Sequence, residues 1–364
     1  MKSRNYLIFI LLVSIAFSGC RGRLRDTTDY STWPERPITI TLGQGAGGGT
    51  DMVIRALAVE MERILGTTIS VVNQPGASGS LAIESVLQRP ADGYWLQGNS
   101  GFNKIARIMG HTESVPWQDW SYFRLTYGVP SFSVRADSPI RDMAHFVQLA
   151  RANPGQYTIS NSGVGGIWHE ANVVFANGAG IDLRHVPFTS GAESTLAVLR
   201  GDVDVSGAGI FEQWQFIEEG SLRILGIFSM EPVTLTSGMV MPRIMDSLPE
   251  FEALGTFGAE HHIAVRRDTP PEIISRLGDA IRQAMETESF RSFARDQWLT
   301  PGFMYGEETD RRAAYSESLT AWLYFDIGLE GVNRSPAELN PPVPRLEDFD
   351  RWWPPAGYRP VAFN

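Results

Sequence analysis

Ile38-Thr39-Ile40-Thr41-Leu42, then Gly43-Gln44-Gly45-Ala46-Gly47-Gly48-Gly49-Thr50-Asp51, then Val53, Leu57, Met61 and Leu65 at helical spacing: this stretch decides the fold. A β-branched run ends in a glycine-rich turn, and the turn opens an amphipathic helix with Arg55, Glu62 and Arg63 away from the apolar face. Gly66 predicts its stop. The pattern then repeats. Ile69 to Asn73 predicts a strand, Gln74-Pro75-Gly76-Ala77-Ser78-Gly79-Ser80 a loop, Leu81 to Gln88 a helix and Tyr94 to Leu96 a third strand. Strand alternating with helix predicts an α/β fold with mainly parallel sheets covered by helices.

The middle of the chain uses the same grammar. Tyr157 to Ser160 predicts a strand before the loop Asn161-Ser162-Gly163-Val164-Gly165-Gly166, and Val186 to Gly191 leads into a helix from Ala192 to Leu199. Val203 to Val205 and Leu222 to Phe228 predict further strands. Ser138-Pro139 predicts the start of a helix that Asn153-Pro154-Gly155 ends. Thr269-Pro270-Pro271-Glu272 reads as a capping box for a helix burying Ile273, Leu277, Ile281 and Met285. In the last stretch Pro336, Pro341, Pro342, Pro344, Pro354, Pro355 and Pro360 argue against regular helix, and Trp352, Trp353 and Tyr358 suggest a strap packed over the body.

Lys2 and Arg4, the apolar run Leu7 to Phe17 and the small residues Ser18 and Gly19 predict a secretory signal over residues 1–19. The apolar run is about half of the ~20 residues a membrane-crossing helix needs. Cys20 is the only cysteine, so no intramolecular disulfide can form. Phe17-Ser18-Gly19-Cys20 resembles a bacterial lipobox, which implies acylation of Cys20 and a lipid-anchored tether over 20–32. The 345 residues from Cys20 onward predict two domains. Beyond the signal, 29 basic residues stand against 41 acidic ones, a net charge of −12 that disfavours a nucleic-acid partner.

Gly43, Gly45 and Gly48 satisfy a dinucleotide-binding spacing, but the second strand ends Val71-Val72-Asn73 without the carboxylate that would hold a ribose. What remains is geometry: a glycine turn at a helix N-terminus exposes N–H groups and positive potential to an anion. Three such turns follow predicted strands, so in parallel sheets they gather at the carboxyl ends, where ligands bind. Six histidines occur, none at the spacing of a helical metal pair, and no cofactor is expected. His261 and His262 are neighbours and would face opposite sides of a strand.

Trp33-Pro34-Glu35-Arg36-Pro37-Ile38, Ala46 to Asp51, Asn73 to Gly79 and Pro90-Ala91-Asp92-Gly93-Tyr94 resemble the substrate-binding receptors of tripartite tricarboxylate transporters, the Bug family. The resemblance continues through Asn153-Pro154-Gly155, Ser162 to Gly165, His169, Val186-Pro187-Phe188, Gly201-Asp202-Val203-Asp204 and Thr269-Pro270. It implies a type II periplasmic-binding-protein fold, with two α/β lobes joined by crossover strands: 33–128 and 235–328 as lobe 1, 129–234 as lobe 2, and 329–364 as an extension. It implies capture of a small carboxylate for the membrane subunits of such a transporter, with no covalent chemistry. The site residues so implied are Gln44, Gly47, Gly48, Thr50, Asp51, Ala77, Ser78, Gly79 and Ser100 from the first lobe, and Ser162, Gly165, His169, Thr189 and Ser190 from the second. Asp51 reads equally as a first-turn carboxylate of its own helix. An exported hydrolase or oxidoreductase, and a degenerate receptor acting as a sensor or adaptor through its tail, are the rival expectations.

Overall fold

The computed structural model describes residues 30–254 and 258–361, and the body of the protein begins at Trp33. The expected signal segment 1–19, Cys20 and the tether up to residue 29 lie outside the described residues. No described helix is long and apolar enough to cross a membrane.

Strands β1 (Ile38–Leu42), β2 (Ile69–Asn73), β3 (Trp95–Ser100) and β4 (Trp120–Gly128) enter a first sheet. Val129 alone separates β4 from β5 (Pro130–Arg135). With β6 (Thr158–Asn161), β7 (Arg184–Pro187), β8 (Val205–Gly209) and β9 (Leu222–Ile227), β5 builds a second sheet. A hairpin of β10 (Val233–Thr234) and β11 (Val240–Met241) follows, and β12 (Ala259–Arg266) and β13 (Leu299–Tyr305) return to the first. The orders are β13-β4-β12-β3-β1-β2 and β7-β6-β8-β5-β9. β1 lies parallel to β2 and β3, and β6 to β7 and β8, the strand–helix–strand pairings expected from the alternation. β5 and β12, each entered after a passage between the sheets, run against their neighbours.

The helix Gly49–Leu65 buries Val53, Ile54, Leu57 and Met61 where it packs against β2, β3 and helix Pro271–Glu286, each side chain contributing roughly 1.5–3 kcal/mol. Gly66 ends it at φ 67°, donating its N–H to Glu62 O at 2.9 Å, as a glycine in the left-handed region can. The second sheet has its own core, in which Phe132, Phe146 and Phe175 meet under the helices.

Five local expectations are corrected. The helix expected from Ser138-Pro139 begins at Met143, because the Asp142 carboxylate accepts from His145 N at 2.7 Å and so fixes the start. Helix Pro271–Glu286 forms, but Pro270 takes the capping position and Thr269 Oγ1 is buried without a partner among the described residues. β3 and β8 each run four residues past their expected ends, because Gly98 and Gly207 lie against Leu42 and Asn172 with no room for a side chain. The proline-rich tail contains a helix after all, Leu346–Trp352, set in the gap between Pro344 and Pro354. The return to the first lobe does not come at 235, since Leu235, Met241, Ile244, Leu248 and Phe251 all bury themselves in the cores of the second sheet.

The tail is packed as a strap. Trp352, Trp353 and Tyr358 surround Trp117 at ring distances of 5.8, 6.1 and 6.4 Å. Tyr358 Oη donates to Asp310 Oδ2 at 2.7 Å, and Pro341 O accepts from the buried Arg107 guanidinium at 2.7 Å. Leu339 and Val343 pack on Ile108 and on Val173, so the strap touches helices associated with both sheets.

Candidate functional site

The carboxyl ends of β1, β2 and β3 face those of β6, β7 and β8 across a cavity of about 500 Å³. That size falls among small-molecule sites, which span roughly 300–1,000 Å³.

The first wall is built from turns that point donors inward. Gly76, Ala77, Ser78 and Gly79 all have positive φ, at 133°, 45°, 54° and 87°. Side chains at Ala77 and Ser78 make this left-handed turn costly, on the order of 1 kcal/mol per residue. Gly79 N donates to Gly76 O at 2.9 Å and closes the turn. Beneath this turn an amide chain holds the wall. Gln44 Nε2 donates to Asn99 Oδ1, Asn99 Nδ2 to Asn103 Oδ1 at 2.6 Å, and Asn103 Nδ2 to Gln97 Oε1 at 3.1 Å.

The second wall carries three helix starts. Ser190 caps helix Gly191–Arg200 by accepting from Glu193 N at 3.2 Å, and Thr189 Oγ1 donates to Glu193 Oε2 at 2.7 Å. Helix Ile167–Ala179 begins after Gly166, and Gly165 N donates to His169 Nδ1 at 3.1 Å. Helix Ile210–Glu218 places Phe211 and Glu212 at the cavity. Glu212 Oε2 accepts from Gly209 N at 2.9 Å, and Oε1 reaches across to Gly49 N at 3.3 Å, the first residue of the opposite lobe's helix. Burial pushes its carboxyl up to about 7, against the pull of the Gly209 and Gly49 N–H groups and the Trp168 side chain.

The two walls touch. Ser78 Oγ donates to Val164 O at 3.3 Å across the cleft. Gly165 has φ 75°, and a Cβ there would lie 2.4 Å from Ile105 Cγ2 on the facing wall, so only glycine fits both the turn and the approach. Deeper in, Lys104 Nζ pairs with Glu170 Oε1 at 3.0 Å, both side chains buried, joining the first lobe to the helix Ile167–Ala179.

Of the expected site residues, Gln44, Gly48, Thr50, Ala77, Ser78, Gly79, Ser100, Ser162, Gly165, Thr189 and Ser190 line this cavity. Gly47, Asp51 and His169 do not, and each has a structural task instead. Asp51 accepts from Gly47 N, Arg55 and Asn73 at 2.8–2.9 Å, which locks the first loop. His169, pushed down to about 3 by burial and by the neighbouring His185, is a neutral acceptor that orders the third loop. The expectation that the Gly47 N–H awaits an anion is also corrected, because Asp51 already holds it, as Glu212 holds the neighbouring Gly49 N.

Sequence reading missed Asn99, Asn103, Lys104, Trp168, Phe211, Glu212 and His261 on the cavity wall. Glu212 had a usable signal: Gly207-Ala208-Gly209 ends a strand directly before a helix, a junction hidden by ending that strand at Val205. His261 lines the cavity with Nδ1 3.0 Å from Thr126 Oγ1, while His262 stacks on Phe102 in the core, as opposite faces of a strand require. Burial pushes both imidazoles down to about 3, so both are neutral at physiological pH.

Residues 53–318 match the family described as the tripartite tricarboxylate transporter family receptor, TctC. The chain belongs to this family. A protein encoded in the gbd 5' region of Cupriavidus necator is 29% identical over 293 residues, covering 78% of this chain and 84% of that relative. A TctC solute-binding protein from Polaromonas, solved without ligand, is 26% identical, with a TM-score of 0.61 over 81% of this chain and 99% of that one. The MatC protein of Rhodopseudomonas palustris, solved with bound malate, shares the fold with a TM-score of 0.71 at 22% identity, over 80% of this chain and 99% of that one. The receptor is thus a TctC-family solute-binding protein of mixed α/β architecture.

Proposed function

We propose that this receptor captures a small carboxylate-bearing solute between its two lobes and delivers it to the membrane subunits of a tripartite tricarboxylate-type transporter. The observation that carries the reading is the convergence of turns from six strand ends on one cavity. Neutral backbone donors can solvate an anion there without a cationic side chain. The Ala77 and Ser78 N–H groups would hold the carboxylate, with the start of helix Ile167–Ala179 completing the site from the second lobe. Closure brings the two walls together, and a ligand that contacts both favours the closed form by its differential affinity. Malate bound in a protein of the same fold supports this reading.

The test is Gly48→Val. Gly48 has ordinary extended backbone, so valine is tolerated locally, but its Cβ would stand 3.3 Å from Ser190 Cβ on the facing wall. The added methyl groups hold the lobes apart. We expect calorimetry with a panel of short-chain carboxylic acids to show affinity lost by tenfold or more while the melting temperature is retained. Undiminished affinity would reject the cleft as the site.

The lipobox resemblance supports anchoring through acylated Cys20. Cys20→Ala should then move the protein from the membrane fraction to the soluble periplasmic fraction, and retention in membranes would reject the anchor.

A further inference from the structure

We propose that Glu212 selects for carboxylates that also carry a protonated amine, an inference that rests on the cleft being the carboxylate site. The other buried acids are paired with cations. Asp51, Glu60, Glu170, Glu260, Asp310 and Glu317 each have an arginine or lysine nitrogen within 3.0 Å. Glu212 is buried as well, at 8% exposure, yet no cation pairs with it among the described residues. It is also the acid that lines the ligand cavity. An ionised carboxylate in a desolvated place is costly unless a positive group meets it.

The protein supplies hydrogen bonds in place of that partner. Gly49 N, Gly209 N and the Trp168 side chain occupy three acceptor positions, and an ionised carboxylate offers about four. Gly191 leaves the space open, since a Cβ there would collide with the carboxylate at 1.9 Å. The cationic side chain on the cavity wall, Lys104, is already held by Glu170 and Ser316. Gln44 Oε1, on the first wall, is a buried acceptor without a donor among the described residues. The cavity therefore joins backbone donors suited to a carboxylate with side-chain acceptors suited to an ammonium. A zwitterion satisfies both, whereas a simple dianion places a second negative charge against Glu212.

Matched probes test this: L-glutamate against glutarate, L-aspartate against succinate, 4-aminobutyrate against butyrate, and larger amino acids against their deaminated acids. The expected result is an amine-bearing member bound at least tenfold more tightly than its partner by wild-type protein, with Glu212→Gln reducing that preference to below about twofold. Glutamine keeps the size and one acceptor of the native side chain, so a merely capping role would leave the preference unchanged. Wild-type protein that binds the deaminated acids equally or better overturns the inference and leaves the receptor reading standing. Protein that binds neither set overturns both. The wild-type comparison decides the matter even if the variant does not fold.

Discussion

Arg107→Met should lower stability by about 3–5 kcal/mol, the cost of leaving a buried charge without its partner. Arg107 is fully buried, donates to Glu317 Oε1 at 2.6 Å and to Pro341 O at 2.7 Å, and so ties the first lobe to the long helix Glu307–Asp326 and to the strap. Burial already raises the Glu317 carboxyl above its ordinary range, and Arg107 is the largest influence holding it down. Methionine fills the space but removes the charge and both hydrogen bonds. Urea denaturation at pH 7 measures the loss. The double variant Arg107→Met, Glu317→Gln should regain part of it, because the orphaned acid is then gone. A single-variant loss below about 1 kcal/mol, the range of exposed ion pairs, would contradict a buried anchor at this position.

Glu212→Gln should stabilise the receptor at alkaline pH and leave it nearly unchanged in acid. The folded-state carboxyl is raised from 4.5 to about 7 by burial. Between these values the folded protein binds the proton more tightly than the unfolded chain, so stability falls as pH rises. The penalty is absent below about 4.5, develops through the window and is complete above about 7, where it amounts to about 3 kcal/mol. The groups facing Glu212 carry no charge to compensate. They are Gly49 and Gly209 N–H, Gly191, Ser190 and Trp168, with neutral His261 behind Phe211. Thermal or urea unfolding of both proteins at pH 4.5 and pH 8 provides the check. A pH-independent offset, or a wild type that is the more stable at pH 8, would show that Glu212 is not buried as an uncompensated acid.

The sequence alone determined the alternation of strand and helix, because β-branched runs, glycine turns and 3.6-residue apolar spacing are local properties. Residues 38–66 illustrate this, from the buried face of Val53, Leu57 and Met61 to the stop at Gly66. The family motifs likewise located the turns at Ala77 to Gly79 and Ser162 to Gly165, which do line the cavity. Only the tertiary structure decided what occupies those turns. Asp51 and His169 look like ligand groups in one dimension, yet each spends its hydrogen bonds on its own loop. Glu212 looks like a first-turn residue of its helix, yet it reaches the start of a helix 163 positions earlier in the chain. The physical reason is that a hydrogen-bond partner across a cleft is set by the docking of two lobes. Local spacing shows which groups can bond; the meeting of the walls selects which of them remain for a ligand.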